Sequence, residues 1–140
     1  MLSTWSPRAL AALRIMAGLL FLEHGLIKLI GFPGPGPETL PPMILIAGLI
    51  ETFGGLLIVL GLFTRPVAFV LSGLMAVAYW MAHAPQSFYP ALNGGDAAIL
   101  FCFGFLYLVF AGAGSVSLDA YLGRKSPSRS TGSAGIPQGV

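Results

Sequence analysis

Between residues 66 and 95 the chain carries no Lys, Arg, Asp or Glu, and between 97 and 113 it again carries none. A small water-soluble domain exposes much of its surface and covers it with charge, so uncharged stretches of this length do not suit one. Seven basic and five acidic residues serve all 140 positions, 9% charged, against roughly 25% in ordinary soluble domains. Hydrophobic residues make up 56% and the mean hydropathy is +0.85. Lipid is therefore the expected solvent for most of the chain. Soluble enzyme, secreted disulfide scaffold and disordered chain are poor readings. The net charge of +2 is too weak to argue for nucleic acid. The single Cys102 excludes an intramolecular disulfide and any C-x-x-C redox or zinc site.

Pro85 and Pro90 interrupt the first uncharged stretch, so it is not one helix. The hydrophobic pattern predicts four transmembrane helices, at about 9–30, 42–64, 66–84 and 96–113. Runs such as LIVLGLF and GFLYLVF do not alternate, which excludes barrel strands. An open sheet edge in lipid would leave backbone groups unsatisfied. The expected class is thus all-α, a transmembrane four-helix bundle over residues 1–123. The Ser/Gly/Pro-rich segment 124–140 is expected to be a disordered polar tail. The first segment does not read as a signal peptide: Glu23 and His24 interrupt its apolar run and no small-x-small cleavage site follows soon after. The loop GFPGPGP after the first helix cannot continue it. Arg8, Arg14, Arg65, Arg124, Lys125 and Arg129 sit toward one side of this topology, which predicts a multi-pass inner-membrane protein with both termini cytoplasmic. Arg14 and Arg65 read as topology anchors.

That topology brings at least one ionisable group from each helix to the outer half of the bundle: Glu23, His24 and Lys28 from the first helix, Glu51 from the second, His83 from the third, Asp96 from the fourth. His24 and Lys28 share a face at i, i+4. Gly48 and Gly55 flank Glu51 at helical spacing and clear its face for close helix approach, as Gly18 and Gly25 do on the first helix. Gly73, Ala76, Trp80 and His83 repeat that spacing on the third. A charge in the bilayer costs ~2.5–3.5 kcal/mol even on the lenient insertion scale, so Glu51 should face inward with Lys28, His24 or Arg14 as partner, or be protonated. Bland readings stand beside this one. Lys28 suits snorkelling, Asp96 a helix N-terminus, and His83 an interfacial ring. A haem between His24 and His83, or a carboxylate–histidine metal site, lacks the regular Glu-x-x-His kind of spacing, so neither haem nor metal is expected.

The first helix reads LRIMAGLLFLEHGLIKLIGF and the second AGLIETFGGLLIVLGLFTRP; MAHAPQSFYPALNGGDAAILF and FAGAGSVSLDAYLG follow. Over residues 10–123 the chain resembles the DoxX family of small bacterial membrane proteins. The family pattern commonly has Glu after the Gly-Gly pair opening the fourth helix; Asp96 stands here. The resemblance implies similarity to the membrane subunit of a thiosulfate:quinone oxidoreductase, to membrane partners of soluble redox proteins, or to assembly and cargo factors. Three functions follow. One is a quinone-associated subunit whose outer cluster holds the ring and which works with a soluble or membrane redox partner. Another is a structural or assembly protein in which Glu51 fixes helix register. The third is a small-solute or proton transporter, for which a homo-oligomer would supply the missing repeat.

Overall fold

The computed structural model describes residues 2–125, and all regular structure among them is helical. The order is α1 (Leu2–Ile30), α2 (Pro42–Leu60), α3 (Thr64–Ala78) continued by a π-helical turn (Tyr79–His83), α4 (Pro90–Asn93), α5 (Asp96–Ala111) and α6 (Leu118–Lys125). Three segments, Ser3–Ile30, Pro42–Leu60 and Thr64–His83, are long and apolar enough to cross a membrane. Asp96–Ala111 is a shorter apolar helix; at 1.5 Å per residue it extends about 24 Å, less than a ~30 Å hydrocarbon core.

Helix ends depart from the sequence expectation for local reasons. α1 begins seven residues earlier, at Leu2, and takes in Pro7 past its first turn, where the ring removes one backbone hydrogen bond. α2 stops at Leu60 rather than 64 because Gly61 turns left-handed at φ 66°. Its N–H donates to Ile58 O and that of Leu62 to Leu57 O, closing a Schellman cap. Gly112, at φ 79°, likewise ends α5 at Ala111. The tight α2–α3 turn then needs Phe63 at φ 49°, a left-handed backbone costing a bulky residue of order 1–3 kcal/mol. Asp119 holds it there: its carboxylate accepts from Phe63 N–H and Thr64 N–H, both at 2.9 Å, at the positive end of α3. The helical turns α4 and α6 occupy stretches where no helix was expected. α6 carries residues 124 and 125, two residues of the expected tail; 126–140 lie outside the described residues.

α1 packs closely along α2 and α3 along α5; α2 joins α3, while α1 and α5 meet mainly through aromatic side chains. Glycines explain the first contact. A methyl group at Gly25 would lie 2.6 Å from the Thr52 backbone nitrogen, and one at Gly55 would lie 2.7 Å from that of Leu22. The two backbones therefore meet where only hydrogen fits. Between the pairs lies an apolar core including Phe21, Ile58, Leu71, Met75, Phe105 and Leu108. Phe21 sits edge-on to Phe101 and Phe105, at centroid distances of 5.4 and 4.9 Å.

One helix face differs from expectation. Gly73 and Trp80 do not turn inward: Gly73 is exposed and Trp80 is 71% exposed. α3 buries Thr64, Ala68, Leu71, Ser72 and Met75 instead. A π-helical turn then follows α3. There Ala84 N–H donates to Tyr79 O, five residues back, and the extra residue rotates everything after it relative to an unbroken α-helix. His83 is thereby uncoupled from the face that Gly73 and Trp80 share.

Candidate functional site

A cleft of about 370 Å³ opens where the C-terminal half of α1 meets α2, the π turn of α3 and the start of α5. His24, Lys28, Glu51 and His83 line it, with Phe21 and Phe101 among its apolar walls. The structure thus brings four of the six polar residues singled out in the sequence to one cavity. Glu23 and Asp96 are not among them. Both are exposed, Asp96 in the first turn of α5 where the helix dipole favours a carboxylate.

Lys28 Nζ donates to Glu51 Oε1 in an ion pair between α1 and α2. The two ends are unequal: the Glu51 side chain is 3% exposed and that of Lys28 31%. Lys28 also lies in the last turn of α1, where its charge meets the negative end of the dipole. Glu51 Oε2 is buried and finds no hydrogen-bond partner among the described residues. A carboxylate oxygen left so is costly, because it has lost water and gained nothing in return.

Both histidines are held by backbone carbonyls. His24 Nδ1 lies 2.7 Å from Leu20 O and His83 Nδ1 3.0 Å from Asn93 O. A carbonyl only accepts, so in each ring Nδ1 carries the hydrogen and, in the neutral form, Nε2 carries the lone pair. His24 also meets Phe101 edge-on at 5.9 Å, and Tyr79 stacks on His83 at 6.4 Å. Asn93 was missed in the sequence. It is buried, its Nδ2 donates to Ser87 O at 2.8 Å, and its Oδ1 accepts from Gly95 N–H at 2.7 Å. It thereby fixes the short segment whose carbonyl holds His83. The signal was the Asn-Gly-Gly run, where Gly94 takes φ 68°. Among the described residues no three His, Cys, Asp or Glu side chains converge as a metal site.

A second polar centre lies toward the other end of the helices. Arg14, read as an anchor, is 1% exposed. Its Nη1 donates to Ile58 O and to Val59 O, the latter at 2.6 Å; Nε donates to Ala113 O at 2.8 Å and Nη2 to Val116 O. Carbonyls at a helix C-terminus lack intrahelical partners, and one guanidinium here serves those of α2 and the chain beyond α5 together. Arg65 is exposed beside this region.

Comparison with known proteins agrees on one family. The DoxX family model matches residues 9–84, more than half of the chain. That stretch includes Glu23, His24, Lys28, Glu51 and His83 but not Asp96. A protein of Haemophilus influenzae, described only as uncharacterized, is 44% identical over 125 residues, covering 84% of this chain and 93% of its own length. No solved structure matches.

Proposed function

This chain belongs to the DoxX family, and from that premise we propose that it is a quinone-associated membrane subunit whose cleft receives the reduced, hydroquinone ring. The observation that carries the reading is the buried, unpartnered Glu51 Oε2 on the cleft wall. The polar atoms left over there are acceptors: Glu51 Oε2 and, in the neutral rings, the Nε2 atoms of His24 and His83. A hydroquinone brings two hydroxyl donors, whereas the carbonyls of a quinone only accept. Lys28 keeps the remaining ammonium hydrogens for an oxidised ring, and Phe101 and Phe21 supply apolar cover. Bound there, such a ring supplies two-electron, two-proton chemistry. The chain contributes proton acceptors and orientation, and a redox partner protein takes or delivers the electrons.

The experiment is binding of a water-soluble, chainless hydroquinone to the detergent-purified protein, set against its dimethyl ether. The ether has the same ring and no donors. The hydroquinone should bind tighter by about tenfold or more, the value of one unmet buried acceptor. Equal affinity for the two rings would end this reading. A purely structural role for the Lys28–Glu51 pair is the second reading, favoured by its place between the two closest-packed helices. It expects no saturable binding of either ring.

The same reading puts the cleft toward the outer face of the bacterial inner membrane, by the distribution of Lys and Arg. Reporter fusions after residue 36 and after residue 92 should both read outside. A cytoplasmic signal at either site reverses the orientation.

A further inference from the structure

The cleft has an apolar neighbour. Ala97 and Phe101 also line a second cavity, of about 360 Å³, between α1 and α5. Its walls include Leu13, Met16, Leu20, Leu100 and Leu108, and no polar side chain contributes to it. From Ala97 to Leu108 it follows α5 for about 17 Å at helical rise. It lies beside the aromatic contacts by which α5 meets α1. Gly104 lies along it, and a Cβ added there would meet no described atom within 4 Å.

We propose that this groove holds the hydrocarbon chain of the ligand whose ring sits in the cleft, so that the ligand enters sideways from the bilayer between α1 and α5. The proposal rests on the ring-binding reading above and adds the class of ligand, a ring bearing one extended apolar chain. A ring whose chain could leave the cleft only toward water would have to expose that chain, at a cost that grows with its area. A groove that shares the walls Ala97 and Phe101 with the cleft offers the chain apolar surroundings next to the ring. Lipid tails are as apolar as this groove, so the groove guides the chain by shape, and a side chain filling it would weaken a chained ligand by excluding the chain that its ring carries. Phe101, stacked on Phe105 at 5.8 Å and edge-on to His24, forms the junction between ring and chain.

The test uses two probes on the detergent-purified protein: a chainless hydroquinone and the same ring with a decyl chain. Gly104→Leu places a side chain in the groove from a position where an added Cβ is clear of neighbouring atoms. It should weaken the decyl ligand by about tenfold or more and leave the chainless ring unchanged. A decyl ligand with a photoreactive diazirine at the chain end should label Leu13, Met16 or Leu100 in the parent protein. If Gly104→Leu changes neither affinity, or if labelling falls on α2, an ordinary bilayer lipid fills the groove and the proposal is wrong, while the ring-binding reading stands. If the variant weakens both ligands equally, the groove does not discriminate the chain and the proposal is also overturned. If neither ligand binds the parent, ring binding itself fails and the proposal falls with it.

Discussion

Arg14→Met should lower the stability of the folded protein by about 3–5 kcal/mol, the scale of several buried carbonyls losing their bonds to one charged donor. The side chain length is kept, so the packing volume changes little. What is lost is one guanidinium serving four carbonyls, those of Ile58, Val59, Ala113 and Val116. Individual hydrogen bonds to a charged group are worth about 1.5–3 kcal/mol, and they do not add in full. Arg14→Lys keeps the charge but should rescue little. An ammonium donates from a single point, whereas these acceptors lie on two separate segments and need the planar fork. Gly61 leaves no slack either, since a methyl there would lie 2.9 Å from Arg14 Cζ. Thermal unfolding in detergent measures the effect. A midpoint for Arg14→Met within about 2 °C of the parent would show that the clamp contributes nothing.

Lys28→Met should be the more damaging half of the second pair. It leaves Glu51, 3% exposed, without its counter-charge in a low-dielectric interior, at a cost of about 3–5 kcal/mol. Glu51→Gln strands only Lys28, which is 31% exposed. Its ammonium can snorkel from the end of α1, so the loss should be about 1–2 kcal/mol less. Replacing both, as Lys28→Met with Glu51→Leu, should recover much of the stability, because an apolar pair avoids the desolvation cost altogether. The four unfolding midpoints form a double-mutant cycle. Strictly additive losses would mean that the two side chains do not stabilise one another. The double variant also separates stability from function: it should fold and yet bind no hydroquinone.

Membrane residence was legible in the sequence because it is a sum along the chain. Uncharged runs, their lengths and the prolines between them set a transfer free energy without reference to any distant residue. The same local reasoning gave the start of α2 at residue 42 and of α5 at residue 96. It also indicated that Glu51, on a face cleared by Gly48 and Gly55, would meet the first helix. Matching depth left Lys28 and His24 as its candidate partners, and the ion pair with Lys28 came only with the structure.

Only the tertiary structure decided which ionisable groups converge. Glu23 is adjacent to His24 in sequence but points elsewhere, since neighbours on a helix are about 100° apart. His83 reaches the cleft after a π turn that no hydrophobic period announces, and Asn93 then fixes it from a segment that reads as loop. Arg14 finds its acceptors 44 and 99 residues away, and Asp119 caps a helix that begins 55 residues before it. Composition and periodicity fix the solvent of each helix and the residues on each face. The rotational phase of one helix against another, and the carbonyls left bare at its end, follow from contacts between distant parts of the chain, which no local window contains.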